Sequence, residues 1–378
     1  MRKEDHNLPH FQLVTDNQAL AECCQQAMIK SAVALDTEFV RIRTYYPKLG
    51  LIQLYDGERL SLIIPDNISD FSPFVALLAA PFVEKILHSC SEDLAVFKHY
   101  FGQLPTPMKD TQIIADFLGF PNSTGFATLV KHYFQLELDK GASRTDWLAR
   151  PLSEQQLSYA AADVWYLLPL YLKMNEELAK TRWKSAVDFD CELLLEKQNK
   201  IKPAEKAYLT IPQVWLLSPK ELNRLKWLAE WRHNEAILRD LALNFVVKSD
   251  ALREAAKHYP KNRSELLTLG FHDHEVRIHG KKILWLLEQA EKTAEADYPQ
   301  PIEKISENPN YKKTIKTLQQ RLQEIAPNDL SKEVIASKRD LEDLLKWVWL
   351  KKKNPEKLPI LLRHWRAEFG QKLMQLID

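Results

Sequence analysis

Asp36 and Glu38 close the apolar run Ala32-Val-Ala-Leu35. Such a run reads as a buried strand, and its period of two sends both carboxylates to one face at the strand's tip. Two acids forced together there ask for a divalent cation, although an Asp-x-Glu pair is also an ordinary solvated strand end. A second acid pattern lies far along the chain. Ser153-Glu-Gln-Gln156 fits a helix start, with Ser153 capping and Gln156 reaching back, and apolar residues continue at helical spacing from Leu157 to Leu172. Tyr159 and Asp163 stand at i and i+4 and share one face of that helix. Asp163 lies in Ala160-Ala-Ala-Asp-Val-Trp165, where small alanines let a ligand or another element approach and a carboxylate needs a partner. Between the two patterns, Val83 to His88 reads as a strand. Ser91 reads as an N-cap, with Glu92 and Asp93 in the first turn of a helix through Phe97 to Tyr100. Acids in a first turn suit the helix dipole without any further role.

Asp36-Thr-Glu38, His88-Ser-Cys-Ser-Glu-Asp93 and Tyr159-Ala-Ala-Ala-Asp163 together resemble, in order and spacing, the three motifs of the DEDD superfamily of 3'-5' exonucleases. The branch that uses histidine carries it five residues before the last Asp, where this chain has Ser158, so the resemblance is to the tyrosine branch. His88 is similar to the ribonuclease D and Werner-type group, where proofreading exonucleases usually show Asn. The stretch Gly141 to Pro151 looks like the one before the third motif in the ribonuclease D family. The resemblance implies a ribonuclease H-like fold with the acids gathered on one side of its sheet. It also implies two divalent ions, Mg2+ or Mn2+: Asp36 bridging them, Glu38 and Asp163 completing the tighter site, Asp93 supporting the second partly through water, and Tyr159 orienting the attacking water. Hard cations prefer carboxylate oxygens, and four acids without a Cys/His cluster suit them. Two ions ~3.5 to 4 Å apart stabilise the attacking and leaving oxygens of an in-line displacement at phosphorus.

The elements that must hold these residues are legible in outline. Strands are expected at Phe11 to Val14, Ala32 to Leu35, Gly50 to Leu54 and Arg59 to Ile64, with helices at Asn17 to Met28, Ser72 to Ala79 and Phe126 to Phe134. From Ser91 onward the pattern is mostly helical. Short turn signals such as Asp56-Gly57 favour neighbouring antiparallel hairpins, giving an α/β domain with a mixed sheet flanked by helices. From Ala186 the character changes to a charged linker or bridging helix and then to all-α segments; Trp227 and Trp231 fall on a helix, Leu222 to Leu238, and are expected in its core. Val246 to Leu252 overlays Ile335 to Leu341, and Gly280 to Leu284 overlays Gly370 to Met374, an internal repeat. Leu225 to Arg232, Asn244 to Lys248 and Arg277 to Lys281 resemble the HRDC domain, of which the second copy is a degenerate version. The expected layout is an exonuclease domain at 1–185, a linker at 186–209, one HRDC domain at 210–293 and a second at 294–378.

Charge divides along the same line. Residues 1–180 hold 16 Lys and Arg against 22 Asp and Glu, a net of −6, and the remaining 36 against 29 leave residues 181–378 at +7. The acidic half carries the proposed cation site and the basic half suits a polyanion. The loop Val40 to Pro47, basic and aromatic, reads equally as a plain surface loop or as one that stacks on terminal bases or holds phosphate through Arg41, Arg43, Tyr45 and Tyr46. His88, Arg144, Lys248, Arg277, Lys281 and Lys282 are further candidates for RNA contact, alternatively plain surface charges. Cys23, Cys24, Cys90 and Cys191 show no metal spacing and read as reduced thiols. No apolar run reaches the length of a membrane span, and Met1-Arg-Lys-Glu-Asp5 has no signal-peptide pattern, so a cytoplasmic location is expected; the sequence leaves the oligomeric state open, with a monomer favoured. The resemblance implies a metal-dependent 3'-5' exoribonuclease that releases 5'-mononucleotides and trims precursor tRNAs. The alternatives are an exonuclease acting on DNA ends and a non-catalytic RNA-binding protein.

Overall fold

The computed structural model describes residues 10–138, 141–142, 144–201 and 203–377. The stretch Met1–Asp5 and Lys202 of the linker lie outside the described residues. The chain forms two compact units.

The first unit is built on a six-stranded sheet: β1 (Phe11–Val14), β2 (Ala32–Val40), β3 (Lys48–Tyr55), β4 (Leu60–Ile63), β5 (Glu84–Leu87) and β6 (Met108–Asp110), in spatial order β1-β4-β3-β2-β5-β6. β2, β3 and β4 pair antiparallel, as expected from the short turns between them, whereas β1 pairs parallel with β4 and β5 lies parallel to both β2 and β6. β2 does not stop at Leu35. It runs on to Val40 against β3, so Asp36 and Glu38 sit inside a paired strand, opposite Gln53 and Leu51, with a register shift directly after Glu38. β6 falls in a stretch read as helical; three residues are too few to show a period of two.

Helices α1 (Asn17–Ala27), α2 (Ser72–Ala79), α3 (Ser91–Phe101), α4 (Thr111–Phe117), α5 (Phe126–Phe134), α6 (Glu154–Leu178) and α7 (Lys184–Asn199) complete the nuclease part. α6 starts with the predicted capping box: Ser153 and Gln156 satisfy each other's backbone N–H groups, which relieves two of the orphan donors of a helix start. α3 starts one residue earlier than read, so its cap is Cys90, without a side-chain hydrogen bond. Arg150 ties the segment before α6 to β3, its guanidinium donating to the carbonyls of Gly50 and Trp147 at 2.9 Å and to Asp66 at 2.6 Å. That approach requires glycine at position 50, where a Cβ would come within 2.4 Å of the Trp147 carbonyl oxygen.

Residues 309–378 belong to this same unit, although the layout read from the sequence treats them as part of a separate domain. Their helices α13 (Tyr311–Ile325), α14 (Lys332–Ile335), α15 (Lys338–Trp349) and α16 (Ala367–Met374) bury Leu318, Leu341 and Phe369 in the apolar core that also holds Val187 and Trp183. The Trp183 indole donates to Asp329 at 3.0 Å. Arg366 grips Asp190 with two nitrogens, one at 2.8 Å, and Trp365 donates to the same carboxylate at 3.1 Å.

The second unit comprises residues 41–46 and 200–308, with helices α8 (Pro219–Leu238), α9 (Leu243–Val246), α10 (Ser249–His258), α11 (Arg263–Thr268) and α12 (Asp273–Ala290). The internal repeat has a structural counterpart. α9 and α14 are each four residues long, each ends in one extended residue (Val247 with φ −157°, Ala336 with φ −156°), and each is followed by a strongly amphipathic helix. At the paired glycines the demands differ: a Cβ on Gly370 would run into the Leu361 carbonyl, while one on Gly280 would meet only side chains. Trp227 is exposed and not a core residue, whereas Trp231 is half-buried and packs against the apolar core of this unit. The buried stripe of α8 runs through Leu222, Leu225, Leu228, Arg232 and Ala236, and the two indoles fall to one side of it, lining a groove of about 600 Å³ with Trp285 and Lys282.

Candidate active site

β2 supplies Asp36 and Glu38, and α6 lies across β2, β3 and β4 on the face that carries them. Carboxylate oxygens of Asp36, Glu38 and Asp163 come within 4.8 Å of one another, a group able to hold a metal ion. Tyr159, one turn before Asp163, hydrogen-bonds that carboxylate and packs its ring 6.1 Å from Trp147. Gln156, next to the helix cap, donates to the Thr145 hydroxyl and the Asp146 carbonyl at 3.1 Å, so the segment carrying Trp147 is fastened to the same helix. Asp93 is not a member of the converging trio. It is buried at the start of α3 and accepts a hydrogen bond from the Thr37 hydroxyl, the residue between the first two acids. No sequence pattern singled out Thr37; its place between two motif acids is the signal that could have.

The acids resist ionisation. Burial, and then the neighbouring Asp163, push Asp36 up to about 8, with the Thr37 backbone N–H pulling the other way. Burial and then Asp36, Asp163 and Asp93 push Glu38 up to about 10, and burial pushes Asp163 up to about 7 against the help of Tyr159. Asp93 is raised by burial and by Asp36, with the Thr37 hydroxyl opposing. This is what a set of oxygen donors does when its charges are left to face one another, and a hard divalent cation is the chemical complement of such a set. The residues present therefore fit the group. A consequence for stability follows from the sign. A carboxyl that is protonated in the fold but ionised in the unfolded chain costs stability as pH rises from its unfolded value, about 4, towards its folded one. In EDTA the melting temperature is expected to fall between pH 6 and pH 9, and Mg2+ to raise it more at pH 9 than at pH 6, in calorimetric scans. An equal Mg2+ effect at both pH values would contradict the arrangement.

Comparison with known proteins decides the family. Residues 11–179 match the 3'-5' exonuclease family, residues 221–287 the HRDC domain and residues 309–374 the C-terminal HRDC domain of ribonuclease D. Ribonuclease D of Haemophilus influenzae is 58% identical over 379 residues, covering 100% of this chain and 95% of the relative. The chain belongs to the ribonuclease D family. Ribonuclease D of Escherichia coli is 45% identical, with 95% and 96% of the two chains covered. The crystal structure of Escherichia coli RNase D, described as an exoribonuclease involved in structured RNA processing, superposes with a TM-score of 0.94 at 44% identity over 97% of this chain and 98% of that one. The protein is accordingly a hydrolase that shortens RNA from the 3' end. No helix among the described residues is long and apolar enough to cross a membrane.

Around this ribonuclease D site the remaining candidates fare unequally. Tyr45 and Tyr46 are half-buried in the helical unit, Tyr45 edge-on to His233, and the loop backbone is held by Asp240 and Ala242. The rings expected to stack on bases are thus partly engaged in packing. Arg41 is exposed and donates to the Tyr45 carbonyl, and Arg43 lies over the Phe245 ring. His88 is half-buried, bonded through Nδ1 to Thr111 and held below its usual pKa range by burial. Arg144, Lys248, Arg277, Lys281 and Lys282 are exposed, with Lys282 resting 4.0 Å over Trp285.

Proposed function

We propose that this exoribonuclease trims the 3' ends of precursor tRNAs and other small structured RNAs, releasing 5'-mononucleotides with two divalent cations, Mg2+ or Mn2+, at Asp36, Glu38, Asp93 and Asp163. The observation that carries the reading is the convergence of Asp36, Glu38 and Asp163 beside the Tyr159 hydroxyl. When bound, such ions supply an activated water and neutralise charge on the leaving oxygen. Asp36 converges with Glu38 from its own strand and with Asp163 from α6, and is the carboxylate that would serve both ions. Asp93 is held for its task by Thr37. Burial, with Asp163 and Glu38 nearby, drives the Tyr159 phenol well above its ordinary value, so it stays protonated and works as a donor that orients water. The exposed cations Lys248, Arg277, Lys281 and Lys282 suit phosphate contacts in the helical unit. Four unbridged, buried cysteines agree with a cytoplasmic setting, where thiols stay reduced. The structured-RNA role described for the Escherichia coli protein supports the substrate class.

The test compares RNA and DNA oligonucleotides of equal sequence and a precursor tRNA, each with Mg2+, Mn2+ or EDTA. RNA degradation from the 3' end that stops in EDTA is expected, and full activity in EDTA would remove the metal-dependent reading. In the same assay Tyr159→Phe should lower turnover by about 10- to 10,000-fold, the range for a lost positioning or acid–base group, with cation binding retained. Loss of folding instead would make Tyr159 a packing residue.

A further inference from the structure

Gln53 lies in the middle of β3, fully buried, and neither its carboxamide oxygen nor its nitrogen has a hydrogen-bond partner. An amide sealed from water without a partner is costly, and such a group in a native fold calls for a reason: a catalytic role, or a partner that arrives with ligand. The register limits what that partner can be. Gln53 stands directly opposite Asp36 on β2 and Leu62 on β4. Directly opposed residues project to the same face with Cβ atoms about 5 Å apart, within reach of a glutamine side chain. That face is the one beneath α6: two residues further along β3, Tyr55 packs its ring 5.0 Å from Trp165 of α6, the helix that brings Asp163 to Asp36. Leu62 offers no polar atom, and the Tyr55 hydroxyl already donates to the Gly57 carbonyl. Across the strands this leaves Asp36, and diagonally Glu38, as the groups able to take the amide.

The other acids have holders of their own. Thr37 donates to Asp93, and Tyr159 bonds Asp163. On Asp36 one oxygen, Oδ1, accepts the Thr37 backbone N–H at 2.9 Å. We propose that Gln53 is a positioning residue of the acidic site: its Nε2–H donates to the Asp36 carboxylate in the cation-bound protein, fixing how that carboxylate presents itself to the ion. The inference rests on the reading of these acids as cation ligands. Partners that orient a ligand in this way typically change metal affinity by about 10- to 100-fold.

The experiment is a calorimetric titration of the full chain with Mn2+ alone, for wild type, Gln53→Met and Asp36→Asn. Methionine keeps the length and volume of the side chain and removes both polar atoms, so Gln53→Met should melt in EDTA no lower than wild type while binding Mn2+ about 10- to 100-fold more weakly. Wild-type affinity in Gln53→Met, with binding abolished in Asp36→Asn, overturns the role of Gln53 and leaves the cation site standing. Wild-type affinity in Asp36→Asn overturns the site itself. A Gln53→Met variant that fails to fold leaves a second measurement decisive, the side-chain amide resonances of Gln53 in the isotopically labelled wild type. A downfield shift of one amide proton on adding Mg2+ supports the donation, and unmoved resonances at saturating Mg2+ refute it.

Discussion

Asp36→Asn is expected to lower the rate of RNA hydrolysis by roughly 10,000-fold or more, the order of loss when one member of an interdependent catalytic set is removed. The change is nearly isosteric, so fold and RNA affinity should survive. Indeed the metal-free variant should be the more stable protein near neutral pH, because it lacks a carboxyl that burial and Asp163 hold at about 8. Single-turnover assays on a short RNA, paired with thermal melting in EDTA, read both effects. Near-normal turnover would move the active centre away from β2.

A nuclease cut off after Asn199 should not fold as a stable body. Such a fragment retains all four acids and Tyr159, and the sequence layout treats it as self-standing. In the structure it would lose Leu318, Leu341, Leu344 and Phe369 from the shared apolar core and leave Trp183 and Asp190 without Asp329 and Arg366. Each buried Leu or Phe contributes about 1.5 to 3 kcal/mol, so four of them approach the whole stability of an ordinary domain, about 5 to 15 kcal/mol. The full chain offers a point test. Arg366→Ala leaves the Asp190 carboxylate without its cation and with the Trp365 indole still donating to it, both ion-pair side chains being only 12% exposed, and should cost about 3 kcal/mol in denaturant titrations. A cooperative melt of the 1–199 fragment at the wild-type temperature would show that the C-terminal helices merely decorate the nuclease.

The proposed chemistry of this chain was legible because the residues assigned to it stand at fixed spacing: the acids, Tyr159 at i−4 from Asp163, and the Ser153/Gln156 cap that starts the helix of the last two. What surrounds that chemistry was not. Thr37 reaches Asp93 on a separate helix and Gln53 faces Asp36 through strand register, and a lone Gln in Leu51-Ile-Gln-Leu54 carries no local sign of facing Asp36. Trp227 and Trp231 have the period of a buried stripe, yet the stripe that is buried begins at Leu222 and passes beside them. The packing of residues 309–378 onto the nuclease depends on contacts such as Asp190 with Arg366, 176 positions apart, and no window of sequence spans them.

That long-range core imposes an order on biosynthesis. The proposed catalytic residues leave the ribosome with the first half of the chain, but the helices that finish their unit follow only after the helical unit has been made. At synthesis rates of roughly 5 to 20 residues per second, completing the core waits on the order of 10 to 40 s after Asn199 has been added. During that interval the nascent chain carries the four acids and Tyr159 on a unit still missing part of its apolar interior. A degradative enzyme thereby matures only after α16 has been translated, and a chain released before then joins the substrates of proteases instead of the cell's ribonucleases.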